Sequence, residues 1–259
     1  MLSFTQEKRD SRTQFFPVIE LKAEKIPPKK NLWVFILAGQ SNMAGRGKVE
    51  PQDTIPSERI FTVNRNGEII VAKEPLHFYE PSMTGLDCGL SFGKTLISRI
   101  PDTISVLLIP AAIGGSSISQ WLGDMTHRNV QLLSNFRQKA ELGMHYGQIK
   151  GILWHQGEGD ANQNGIPLYK SRLTELIEIF RKIAGDDHLP VLIGELGSYS
   201  RNNENWMKLN EQIRLYALTD SNARIINTSD LGQKGDSVHF DSEAQRKLGQ
   251  RFAKALLIK

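Results

Sequence analysis

A single cysteine, Cys88, stands among 259 residues, so no disulfide can form within the chain. A cross-linked framework is thereby excluded, and the fold must rest on a packed apolar core. An excess of charge is lacking too: 32 basic against 28 acidic residues leave a formal net charge of +4. So small and dispersed a surplus gives no basis for binding nucleic acid or an anionic membrane. No apolar run approaches the roughly 20 residues needed to cross a bilayer. The longest, such as Ile104 to Ile113, are strand-sized. The opening residues MLSFTQEKRDSRTQFF carry charges where a secretory signal has its apolar stretch. The chain as it stands is expected in the cytoplasm, with secretion open if a leader has been removed. There is no internal repeat, low-complexity tract or interdomain linker.

What is present is apolar material for one core: 39% of residues are hydrophobic and 23% charged. Residues 1–30 are charged and end in IPPKK, which reads as an N-terminal arm packed on or near the body. Residues 31–259 read as one domain. Five mostly continuous apolar runs, Trp33–Gly39, Thr103–Pro110, Ile149–Trp154, Leu189–Leu196 and Arg224–Thr228, are expected strands. Helical spacing over Gly89–Ile100, Asn129–Met144, Leu168–Ile183, Trp206–Leu218 and Asp241–Leu257 alternates with them. Ser242 is the expected cap of the last helix, with Gln245 in capping-box position. A small hairpin is expected within Arg59–Val71, around Asn66–Gly67. Strands that are apolar throughout, alternating with helices, predict a parallel sheet buried on both faces. In such α/β folds the chemistry lies beyond the carboxyl ends of the strands.

Four strand ends carry glycine and polar residues. GQSNMAG places Ser41 just after the first strand, where a starting helical turn offers unpaired backbone donors to an oxyanion. A helix cap is the plainer role for such a serine. Met43 replaces the second glycine of a G-x-S-x-G elbow, which disfavours a lipase-like hydrolase. In GDSVHFD, Asp236 and His239 lie three residues apart and can supply a base together with the group that holds its tautomer. Asp230 and Asp241 are rival orienters, with Asp241 expected rather to help start the last helix. AAIGGSSISQW offers Gly115 as an oxyanion donor and Trp121 as a pocket wall, or else a tight turn with a core tryptophan. WHQGEGD offers the Gln156 amide, a donor that does not titrate. His155 and Glu158 have a metal-like spacing, but Gly157 and Gly159 argue against a zinc helix, and no metal or cofactor is expected. Glu158 is expected to hydrogen-bond the surrounding loops.

The blocks GQSNMAGRG, GGSSISQW, WHQGEGD and DSVHFD, in this order, resemble the SGNH-hydrolase superfamily. Within it they are similar to the sialate O-acetylesterase-like domain and the acetylxylan esterases of carbohydrate esterase family 6. The resemblance implies a three-layer α/β/α sandwich with a five-stranded parallel, flavodoxin-like sheet. It also implies a cofactor-free serine esterase acting on an acetylated carbohydrate through an acetyl-enzyme. Ser41 is then the nucleophile, His239 the base and Asp236 its orienter. Ser41, Gly115 and Gln156 form the oxyanion hole. Arg46, Trp121 and Glu158, with His77 and Tyr79, are expected to bind substrate or support the pocket beside a loop spanning Lys48–Asp87. A general short-chain or small-metabolite esterase and a non-catalytic carbohydrate-binding protein are the alternatives.

Overall fold

The computed structural model describes residues 11–258. The first ten residues of the expected arm, and Lys259, lie outside the described residues. Strand β1 (Leu32–Gly39) is followed by a one-turn helix α1 (Ser41–Ala44), the hairpin β2 (Ile60–Val63) and β3 (Ile69–Val71), and helix α2 (Gly89–Ile97). Strand β4 (Ser105–Pro110), helix α3 (Ile118–Leu122), the ribbon β5 (Thr126–His127) and β6 (Val130–Gln131), and helix α4 (Leu132–Tyr146) come next. Strand β7 (Gln148–His155), helix α5 (Ile166–Ala184), β8 (Val191–Gly194), α6 (Asn203–Ala217), β9 (Ala223–Ile226) and α7 (Ser242–Leu256) complete the chain.

The main sheet runs β3-β2-β4-β1-β7-β8-β9, between helices on both faces. The reason the strands are apolar throughout is visible in β1. Phe35 and Leu37 point into a core with Phe92 of α2 and Leu248 and Phe252 of α7. Ile36 and Ala38 point the other way, to Trp121, Phe136, Tyr169 and Phe180 of α3, α4 and α5. Successive side chains alternate faces, so a strand covered on both sides has no position for a charge.

Five parallel strands were expected, and the sheet has seven. The five expected strands are β4, β1, β7, β8 and β9. The hairpin adds the other two: β2 pairs parallel with β4, and β3 pairs antiparallel with β2, which makes the sheet mixed. Among the five, chain order across the sheet is 2-1-3-4-5, which puts the reversal of winding direction between β1 and β7. Connections leave the sheet on opposite sides there and open a crevice at the carboxyl ends. The arm closes the outer edge of β3, where the Val71 N–H donates to the Leu21 carbonyl at 2.8 Å. Helix α7 is capped by Asp241 rather than Ser242: the Asp241 carboxylate accepts the Ala244 N–H at 2.8 Å. The Ser242 hydroxyl instead donates to the Lys48 carbonyl at 2.7 Å. Among the described residues no helix is long and apolar enough to cross a membrane.

Candidate active site

The loops after β1 and β7 meet at that crevice. Gly39 ends β1 with φ 134°. A Cβ there would lie 2.1 Å from the His155 carbonyl oxygen, so only glycine lets the two strand ends approach this closely. The Gln40 N–H then donates to that same oxygen at 2.9 Å. The chain turns into α1, leaving Ser41 as its first residue, only 6% exposed.

Asp236 and His239 come from the loop before α7. One Asp236 oxygen accepts the N–H groups of Val238 at 3.0 Å and His239 at 2.8 Å, closing a local turn. Ser237 inside it has φ 60°. The other oxygen meets His239 Nδ1 at 2.7 Å, and His239 Nε2 lies 3.0 Å from the Ser41 hydroxyl. An ionised carboxylate only accepts, so Nδ1 carries the proton and Nε2 keeps its lone pair toward serine. Partial burial pulls the Asp236 carboxyl upward. The bonds from the His239 ring and backbone outweigh it and hold the group well below the usual carboxylate range. The rival acids are otherwise engaged: Asp230 pairs with Arg251 at 2.6 Å, and Asp241 caps α7.

The loop after β4 is the third wall. The Ile113 N–H donates to the Gly39 carbonyl at 3.1 Å, which ties this loop to the nucleophile's turn. Gly114 donates its N–H to Glu80 at 2.6 Å. Gly115 is exposed with φ 78°, and among the described residues nothing accepts its N–H. Trp121, expected as a pocket wall, is 0% exposed and belongs to the core. Its indole N–H donates to the Ser116 hydroxyl at 2.9 Å, bracing the loop from beneath.

Gln156 is placed differently from expectation. It is fully buried, and its amide nitrogen lies 3.1 Å from Gln40 Oε1, 3.1 Å from the Ser116 carbonyl and 2.6 Å from Asp160 Oδ2. Two N–H groups face three acceptors, so none is free for a ligand in this arrangement. Tyr169 closes the other side by donating to the Gln156 backbone carbonyl at 2.7 Å. Gln156 thus clamps the three loops that surround Ser41.

Arg46 is buried and pairs with Glu80 at 2.8 Å, so it faces inward. Glu80 also meets Arg128 at 2.8 Å. Burial pulls the Glu80 carboxyl up, but the two guanidiniums and the Gly114 N–H prevail and lower it. His77 is buried as well, with Nδ1 2.8 Å from Asp87, and the Tyr79 hydroxyl donates to Asn135 at 3.0 Å. These three residues fasten the Lys48–Asp87 loop beside the site; Arg46 and His77 are buried, and Tyr79 is partly exposed. His155 is buried, burial lowers its pKa against the pull of Glu158, and Nε2 donates to the Glu195 carbonyl at 2.9 Å. Glu158 accepts from the Asn42 amide at 2.5 Å, a loop contact of the expected kind.

Four contributors were missed from sequence. Gln40 and Asn42 flank Ser41 inside its motif and were read only as its context. Glu80 and Arg128 sit in loops without any recognisable pattern. Arg128 and Asn129, with φ 49° and 63°, form the two-residue turn of the β5–β6 ribbon. His127 fastens that ribbon to the Gly114 carbonyl at 3.0 Å. An Arg128 guanidinium nitrogen lies 3.7 Å from the position a Gly115 Cβ would take, and the side chain is 40% exposed.

Residues 31–258 match the family model described as carbohydrate esterase, sialic acid-specific acetylesterase. A probable carbohydrate esterase of Arabidopsis thaliana is 28% identical over 250 residues, covering 90% of this chain and 92% of that protein. The X-ray structure of an Arabidopsis thaliana protein superposes with a TM-score of 0.78 at 28% identity, covering 89% of this chain and 98% of the other. A carbohydrate acetylesterase from Xanthomonas citri shares the fold, with a TM-score of 0.66 at 21% identity, over 87% of this chain and 55% of that one.

Proposed function

The chain belongs to the family of carbohydrate esterases described as sialic acid-specific acetylesterases, and from that premise we propose that it removes O-acetyl groups from a carbohydrate through an acetyl-serine intermediate. One observation carries the proposal: the unbroken chain from the Ser41 hydroxyl through His239 to the ionised Asp236. His239 Nε2 takes the Ser41 proton as the oxygen attacks the acetyl carbonyl. Asp236 holds the tautomer and stabilises the imidazolium that forms. The N–H groups of Ser41 and Gly115 are the oxyanion donors, and Gln156 acts by holding the loops that present them. His239 returns the proton to the departing sugar hydroxyl. Water then attacks the acetyl-enzyme by the same route in reverse and releases acetate.

The fold that supports this reading is the SGNH-hydrolase, flavodoxin-like sandwich, with residues 31–259 as one catalytic domain and the preceding arm packed on the sheet edge. Within the acetylated sugars, we read an acidic sugar such as an O-acetylated sialic acid as preferred to a neutral xylan chain. The half-exposed Arg128 cation beside Gly115, on a ribbon pinned to that loop, favours it. The test is acetate release by wild type and Ser41→Ala from p-nitrophenyl acetate, acetylated xylo-oligosaccharide and O-acetylated sialic acid. Release that vanishes in the variant is expected, fastest on the acidic sugar. A variant with wild-type turnover would sink the nucleophile assignment, and faster turnover of the xylo-oligosaccharide would sink the acidic preference.

A further inference from the structure

We propose that Asn42 is a positioning residue that sets His239 against Ser41, with Glu158 fixing the orientation of its amide. The inference rests on the esterase reading above. Asn42 follows the nucleophile directly and is fully buried. Its Oδ1 accepts the Phe240 N–H at 3.0 Å, and its Nδ2 donates to the Val238 carbonyl at 3.0 Å. Val238 and Phe240 are the two neighbours of His239. One side chain therefore holds the backbone on both sides of the base, from the residue beside the nucleophile.

The other bonds of this loop do not replace that tie. Asp236 bonds to Val238 and His239, Gln233 to Gly235 and Ser237, and Lys234 to the His239 carbonyl at 3.0 Å. These bonds are internal and move with the loop. They keep Asp236 and His239 together while leaving their distance from Ser41 unset. The Phe240 ring, packed against His155 and Tyr199 in a core shared with Met43 and Ala44, anchors the loop by apolar contact, and the Gln245 amide donates to the Asn42 carbonyl at 2.9 Å from within α7; neither bonds the backbone that flanks His239.

Asn42 works only with its amide one way round, since reversal would set a donor against the Phe240 N–H and an acceptor against the Val238 carbonyl. Glu158 decides the matter. Its carboxylate lies 2.5 Å from Nδ2, and with its side chain 5% exposed it has no bulk water to turn to. An ionised carboxylate can only accept, so it selects the nitrogen end.

The test uses the full-length protein and p-nitrophenyl acetate, with Ser41 labelling by a fluorophosphonate as a second readout. Asn42→Ala is expected to lower kcat on the order of 100-fold, with KM within about twofold of wild type, because misplaced reacting groups lose rate without losing ground-state binding. Labelling of Ser41 slows in parallel. Glu158→Ala is expected to lose about tenfold in kcat by the same reasoning, and the double variant no more than Asn42→Ala alone, since both act through one contact. Folded Asn42→Ala with kcat within threefold of wild type overturns the proposal. So does a loss that tracks only a smaller fraction of active sites, or a double variant whose losses multiply. If Asn42→Ala does not fold, Glu158→Ala decides: an unchanged kcat overturns the proposal. A wild type whose Ser41 resists the fluorophosphonate fails at the esterase reading itself, a result distinct from a reactive wild type and an unaffected Asn42 variant.

Discussion

Replacing Asp236 by asparagine tests the proton logic of the site at one atom. In the native turn one carboxylate oxygen accepts two backbone N–H groups, and the other accepts the His239 Nδ1–H at 2.7 Å. Asparagine can keep the two backbone bonds only by turning its NH2 toward Nδ1. Nδ1 must then accept, the ring proton moves to Nε2, and Nε2 faces Ser41 as a donor that cannot take its proton. The reverse rotamer restores the tautomer but sets the NH2 against two backbone N–H groups. Losing two bonds at about 0.5–1.5 kcal/mol each costs about 1–3 kcal/mol, so the competent state is roughly 5- to 150-fold depleted. The asparagine also cannot stabilise the imidazolium, and the equivalent change in a serine protease costs about 10⁴-fold. Asp236→Asn is therefore expected to lower kcat for p-nitrophenyl acetate by about 10²- to 10⁴-fold. A folded variant within tenfold of wild type would refute the assignment of Asp236 as orienter. The pH profile adds a check of sign. Asp236 has its folded pKa held below the ordinary value, so its contribution to stability is complete above the unfolded pKa near 4 and is lost only as pH falls through the lower folded one. The acid limb of kcat/KM in the wild type should accordingly not arise from loss of the Asp236 carboxylate.

Gly39→Ala should destabilise the protein by about 3 kcal/mol or more in chemical denaturation, because a left-handed residue gains a Cβ that meets backbone; a loss under about 1 kcal/mol would show that the two strand ends can part cheaply. Arg128→Ala should reduce the ratio of kcat/KM for an acidic over a neutral acetylated sugar by about tenfold, the share of one charge-assisted hydrogen bond; an unchanged ratio would remove Arg128 from substrate selection. Gln156→Ala should stay folded and lose kcat through displaced loops, and full acetyl-transfer rate in that variant would deny the clamp a catalytic consequence.

The strands that carry the site were legible because each is covered on both faces and reads as an unbroken apolar run. The blocks at their ends stood out because polar and glycine residues follow such runs abruptly. The sheet's edge was less legible. Ile60–Val63 and Ile69–Val71 read as a hairpin, and nothing local says that the first of these lies parallel to β4. The β5–β6 ribbon was partly absorbed into an expected helix starting at Asn129. Its turn uses Arg128 and Asn129 in left-handed conformations that usually announce themselves with glycine. Trp121 and Arg46 look like pocket residues in a one-dimensional reading, and only packing shows that they face inward. The engagement of Gln156 was equally out of reach, since its acceptors come from positions 40, 116 and 160.

The nucleophile and the base are separated by 198 positions, whereas the base and its orienter share one turn. This asymmetry orders events during synthesis on the ribosome. The turn that activates the imidazole is made after every strand of the sheet has emerged. A nascent chain whose strands have all emerged thus still lacks its base and remains chemically silent. Activity begins only when the segment from Asp236 through α7 docks, which also covers the sheet face where Phe35 and Leu37 meet Leu248 and Phe252, so hydrolysis reports closure of that core.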